Sequence, residues 1–189
     1  MTSSRAALPA ALLWLLSLGA CTMADIGALA VGEEDEPGYR ALLADPDALR
    51  AYFADTTIRT WDEAHGTQIE YHSAHGETWL VYPGNARSVR GRWEIRGPAG
   101  NPKMCYLYGP HTYNPVMSEP GGRWSCSAAA FFLAAKEVVD GDVLRLRGRG
   151  AFPRLLPPEV NLRLDTVMRE IGLGPRTGPN KTFLEDALP

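Results

Sequence analysis

The sequence predicts a mainly β protein: an antiparallel meander forming a small barrel or sandwich, with an N-terminal and a C-terminal helix. Three observations lead there. From Asp55 onward the apolar period is two, in short segments rich in β-branched and aromatic residues, as half-buried strands require. Turn residues separate those segments at short intervals: His65-Gly66, His75-Gly76, Pro83-Gly84-Asn85, GPAGNP at 97–102 and Asp140-Gly141-Asp142. Clear helical spacing is confined to one segment before the strands and one after them, which is not the alternation of a βαβ fold.

Composition narrows the function classes. A chain of 189 residues suits one domain of ordinary size. It is 45% hydrophobic and 22% charged, close to the globular average, so neither a collagen-like nor a wholly disordered chain fits. A net charge of −3 argues against nucleic acid as a partner, because nucleic-acid-binding domains are strongly basic.

Residues 1–20 have the layout of a secretory signal peptide: Arg5, an apolar run from Ala6 to Leu18, then small residues. The run is too short to span a hydrocarbon core of about 30 Å as a permanent helix. Leu18-Gly19-Ala20-Cys21 resembles the lipobox of bacterial lipoproteins. That resemblance implies diacylglycerol in thioether linkage on Cys21, cleavage before it, and acylation of the new amino terminus. Thr22 at the following position, where the pattern has no Asp, implies the outer membrane, facing the periplasm. The alternative is an ordinary signal peptide cut after Ala20 or Ala24. With Cys21 as anchor, Cys105 and Cys126 remain, and in an exported compartment such a pair predicts one disulfide. It would close a loop of about 22 residues and stabilise the fold by roughly 3 kcal/mol.

The mature chain then divides in order. Residues 21–38 are small or acidic with no apolar period, and read as the lipidated tether. A single β-rich domain follows over 39–174. Its first element is a helix at 45–54, with Asp45 as N-cap, Pro46 at the first helical position, and Leu49, Tyr52 and Phe53 on one stripe. Strands are predicted at TIRTW, TQIEYH, ETWLVY, SVRGRWEIR, KMCYLY, after Arg123 and at DVLRLR. The segment 128–138 suits helix or strand, and strand is preferred because Asp140-Gly141-Asp142 would then join it to DVLRLR as a hairpin. In EVNLRLDTVMREIG, Val160, Leu164, Val167, Met168 and Ile171 share one helical face, ended by Gly172, Gly174 and Pro175. Residues 175–189 read as a tail.

Three candidate sites emerge. His65, Glu70, His72 and His75 form the densest polar constellation, with Gln68, Glu70 and His72 on one strand face. The spacing matches no metal motif, so a solvated face with His-Gly turns is the preferred reading and no metal is assigned. Arginine stripes at Arg90, Arg92, Arg96 and at Arg145, Arg147, Arg149 suit anions but equally a wet strand face. The loop 109–122 lies inside the predicted disulfide ring, and His111, Tyr113, Asn114 and the nearby Trp124 could line the mouth of a pocket. No GxSxG, HExxH, phosphate loop, GxGxxG or CxxC occurs, so no catalytic residue and no cofactor is assigned.

Gly91-Arg92-Trp93 on an alternating strand, Cys105 after a turn, and Arg123-Trp124-Ser125-Cys126 further on resemble a family of proteobacterial envelope proteins, the domain-of-unknown-function family 995. The similarity covers about residues 42–150. It implies an exported β-rich domain and brings no activity with it. Gly91-x-Trp93 is also similar to the lipocalin signature, which there marks the first strand; here it lies mid-domain, and Gly122-Arg123-Trp124 repeats it. The expected function is a lipid-anchored, non-catalytic binding module for a small apolar or anionic envelope ligand. The alternatives are a structural or assembly lipoprotein working through protein contacts and a metal-assisted hydrolase built on His65, Glu70, His72 or His75.

Overall fold

The computed structural model describes residues 37–183. The signal peptide, Cys21 and nearly all of the tether lie outside the described residues. Seven strands pair antiparallel into one curled half-barrel sheet. β1 (Thr56–Asp62), β2 (Gly66–His72), β3 (Glu77–Val81), β4 (Val89–Arg96) and β5 (Lys103–Tyr108) form a meander, each strand bonded to the next. Inside the loop that follows, β6 (Tyr113–Asn114) and β7 (Glu119–Pro120) make a separate small hairpin. β8 (Ser125–Ala128) then returns to β5, and β9 (Glu137–Asp140) pairs with β1 at the far edge. The spatial order is β8-β5-β4-β3-β2-β1-β9. The antiparallel β fold follows the predicted pattern.

Both faces of the sheet are covered, which sequence alternation alone did not foresee. On one face Ile58, Trp93, Met104, Tyr106 and Val138 pack beneath α1 (Pro37–Ala44), α2 (Pro46–Phe53) and α3 (Ala129–Leu133). On the other, Ile69, Tyr71, Trp79, Val81 and Val139 pack beneath residues 144–170, which include α4 (Leu164–Glu170). Asp45 caps α2 as predicted, its Oδ1 accepting from the Asp47 and Ala48 amides at 3.0 Å each. Cys105 and Cys126 face each other across β5 and β8 and are joined by the predicted disulfide.

Four expectations need correction. Segment 128–138 is neither one strand nor one helix: α3 ends at Leu133 and β9 begins at Glu137. DVLRLR does not form the second arm of a hairpin; Leu146–Gly148 is a 3₁₀ turn, held where the Leu146 and Arg147 amides donate to Asp142. Leu144 and Leu146 still point inward while Arg145 and Arg147 are exposed, because burial follows the alternation even without a ladder. The C-terminal helix starts only at Leu164, and Val160 lies before it, exposed, with its carbonyl accepting from the Thr67 hydroxyl at 2.7 Å. Residues 175–183 are not a free tail. The Lys181 amide donates to Val138 O at 2.7 Å, the Val138 amide donates to Asn180 Oδ1 at 2.8 Å, and Phe183 stacks on Tyr52. This segment covers the open edge of β9, one of the ways a sheet protects its edge.

Candidate functional site

Register decides which polar groups meet. Ile58 of β1 opposes Glu70, and Thr78 of β3 opposes His72, so Glu70 and His72 belong to the helical face. The expected solvated face is therefore wrong: Glu70 is 7% exposed and His72 is fully buried. They sit there because α2 and α3 cover that face, and β2 is buried on both sides.

Around them a polar cluster forms inside the apolar core. Glu70 accepts from the Thr78 hydroxyl at 2.6 Å and from the Tyr108 hydroxyl. The Tyr106 hydroxyl lies 3.0 Å from His72 Nε2 and 2.8 Å from Met104 Sδ. His72 Nε2 is 3.7 Å from Glu70 Oε2, while its Nδ1 finds no hydrogen-bond partner among the described residues. The imidazole tilts against Trp93 at 4.8 Å, and Arg50 covers the same indole at 4.7 Å. Burial and the adjacent Glu70 carboxylate push both the Tyr106 and Tyr108 phenols well above their ordinary range. Hydroxyl donors thus satisfy the carboxylate, as a buried charge requires.

The other two histidines of the constellation are elsewhere. His65 pairs with Asp62 in the β1–β2 turn, at one end of β2. His75 is exposed in the turn at the other end. Among the described residues no group of three His, Cys, Asp or Glu side chains is placed to hold a metal ion. A second buried polar group on the opposite face escaped sequence reading altogether. Arg59 pairs with Glu137 and donates to Asn161 Oδ1 at 2.7 Å, and the Leu164 amide donates to Glu137 at 2.9 Å. This fixes the start of α4.

The loop 109–122 is an ordered hairpin. The Gly121 amide donates to Thr112 O, the Gly122 amide to Tyr108 O, and Gly121 passes so close to Gly109 that a Cβ there would lie 2.2 Å from its carbonyl oxygen. Of the residues proposed for a pocket mouth, His111 is exposed and Tyr113 is 62% exposed. Asn114 closes the turn, its Oδ1 accepting from the Val116 and Met117 amides at 3.1 Å each. Trp124 is half-buried with Arg96 stacked over it at 4.4 Å.

At the foot of this hairpin lies an open cleft of about 370 Å³, walled by Leu107, Tyr108, Pro110 and Gly122, with Arg92 beside Gly91. The four proposed residues stand beyond these walls. Gly91 shapes the cleft: a Cβ at that position would lie 2.6 Å from Tyr108 Cδ1 and 2.8 Å from Leu107 O. Only glycine lets the Tyr108 ring pass over β4 to reach Glu70. Gly91 and Tyr108 are opposed across β4 and β5, a pairing legible in the sequence once register is known.

No family model matches the chain, nor does any curated protein or solved structure. The resemblance to family 995 rests on its motifs alone.

Proposed function

We propose that this chain is a lipid-anchored envelope protein, attached through Cys21 at the outer membrane and facing the periplasm, that acts as a non-catalytic binding module. Its ligand is a small apolar anion. The observation that carries this reading is the cleft at the foot of the hairpin, lined by Leu107, Tyr108 and Pro110 with the exposed residue Arg92 among them. Arg92 makes no ion pair among the described residues, whereas its neighbours Arg90 and Arg96 are paired with Glu77 and Glu94. Apolar walls with one or two placed polar groups are the usual chemistry of small-ligand sites.

A second reading, a structural lipoprotein that works through protein contacts, is favoured by one observation. The helical face is packed with its own buried side chains beneath α1, α2 and α3, as in a filled core. Titration with a fluorescent long-chain carboxylate separates the two. Saturable one-to-one binding, weakened about tenfold by Arg92→Ala (about 1.4 kcal/mol), supports the binding module. Absence of saturable binding, or no effect of Arg92→Ala, rules out the cleft as its site.

A further inference from the structure

Six large apolar side chains among the described residues remain exposed, and five of them gather at one rim of the sheet. Antiparallel pairing brings the end of β1, the start of β2, the end of β3, the start of β4 and the end of β5 to that rim. The hairpin stands there with Tyr113 62%, Val116 37% and Met117 60% exposed. The segment carrying Leu155 (57% exposed) and Val160 (45%) is pinned to the same rim, where the Gly84 amide donates to Leu156 O and the Thr67 hydroxyl to Val160 O. The sixth, Phe131, lies on α3.

We infer that this rim is a membrane-contact surface, which rests the domain against the lipid bilayer that holds its acyl chains. The inference rests on the reading of Cys21 as the anchor. Four features point to a bilayer. The apolar side chains stand on two separate segments around a strand-end rim, an arrangement a flat surface meets at several points and a small ligand does not. The hairpin tip from Gly109 to Ser118 carries no acidic or basic residue besides His111. Its turn amides at Val116 and Met117 are already satisfied by Asn114, so these two donors enter the interface paired. Tyr113 is the amphipathic side chain favoured at that depth.

The remaining argument is reach. Residues 22–36 separate Cys21 from α1. A chain of fifteen residues spans at most about 50 Å. The eight residues of β4 extend about 26 Å, so that number of residues allows either end of the sheet to face the membrane. The rim with the exposed apolar side chains is the end that gains by burial there, and shallow insertion suffices. The ordered hairpin loses little freedom on docking.

The test uses the acylated protein purified from envelopes and reconstituted in vesicles of phosphatidylethanolamine and phosphatidylglycerol at three to one. A nitroxide is placed at Met117→Cys, and a control at Ala99→Cys in the exposed β4–β5 turn at the opposite end. Mass measurement first establishes whether Cys21 carries acyl chains. The expected result is acylated protein whose label at 117 is reached better by oxygen than by a water-soluble relaxant, while the label at 99 shows the reverse. Val116→Asp in the same molecule should return the label at 117 to water-like accessibility. If acylated protein gives equal, water-like accessibility at 117 and 99, the rim contact is overturned and the anchor stands. A label at 117 that is wet on vesicles but shielded in intact outer membranes overturns it in favour of a protein partner. Absence of acyl mass overturns the anchor, and the rim contact with it.

Discussion

Tyr108 of β5 donates its phenolic proton to Glu70 of β2, although β3 and β4 lie between their strands. On a flat sheet those three inter-strand steps would span roughly 14 Å, so the contact depends on the curl of the sheet toward its helical face. It also depends on Gly91, over which the Tyr108 ring passes. The buried carboxylate is thereby joined to a tyrosine that walls the open cleft.

Gly91→Ala should therefore disturb more than one strand. The added methyl meets a backbone carbonyl as well as the Tyr108 ring, so the side chain alone cannot relieve the clash. A loss of about 1–3 kcal/mol in urea unfolding is expected, with a change in near-ultraviolet aromatic circular dichroism. Unchanged stability and an unchanged spectrum would refute the packing of Tyr108 over Gly91.

Alkaline titration reports the same cluster. Tyr106 and Tyr108 are held above the ordinary phenol range by burial and then by Glu70; burial and then Asp55 raise Tyr71 likewise. A phenol whose folded value is raised contributes stability that is complete below its unfolded value near 10 and is lost as pH rises beyond it. Part of the phenolate absorbance should accordingly develop late, because Tyr71, Tyr106 and Tyr108 ionise only as the fold is lost at higher pH. A single unperturbed titration of every tyrosine in the folded protein would contradict this.

The two sides of β4 predict opposite costs. Trp93 is 1% exposed and donates its indole proton to Ser73 O at 3.0 Å, so Trp93→Ala should cost about 3–5 kcal/mol. Arg92 is exposed on the other side, and Arg92→Ala should change stability by less than about 0.5 kcal/mol. Paired melting curves decide it; equal small effects would mean that the faces are assigned wrongly.

Breaking the Cys105–Cys126 bridge frees the 109–122 hairpin from its covalent ring. Cys126→Ala should lower stability by about 2–5 kcal/mol and raise hydrogen exchange of the hairpin amides. Two reactive thiols in non-reduced protein from the envelope would show that the bridge does not form in place.

Much of this architecture was legible in the residues. Alternation located β1 to β5, and the Asp45-Pro46 pair opened α2. What failed depended on contacts distant in sequence. Glu70 and His72 look like a wet strand face until α2 and α3, contributed from either side of the meander, are laid over them. Glu137 and Arg59 carry no local signal, being 78 residues apart and joined only when β9 docks on β1. The 144–183 segment misled because its leucines alternate like a strand, while Asp142 turns the chain away and Asn180 and Lys181 occupy the edge of β9. The long loop singles out His111, Tyr113, Asn114 and Trp124, whereas the walls of the cleft come from the ends of β4 and β5 and from Pro110 and Gly122 at the base of the hairpin.

Native mass spectrometry of protein purified from envelopes without denaturation tests the central claim most directly. A lipid-anchored binding module should begin at Cys21, carry diacylglycerol and an amino-terminal acyl chain as covalent mass, and hold one further small apolar anion non-covalently. Arg92→Ala should lose that last mass and keep the covalent ones. A chain that begins after Ala20 or Ala24 with no acyl mass and no ligand would contradict the account.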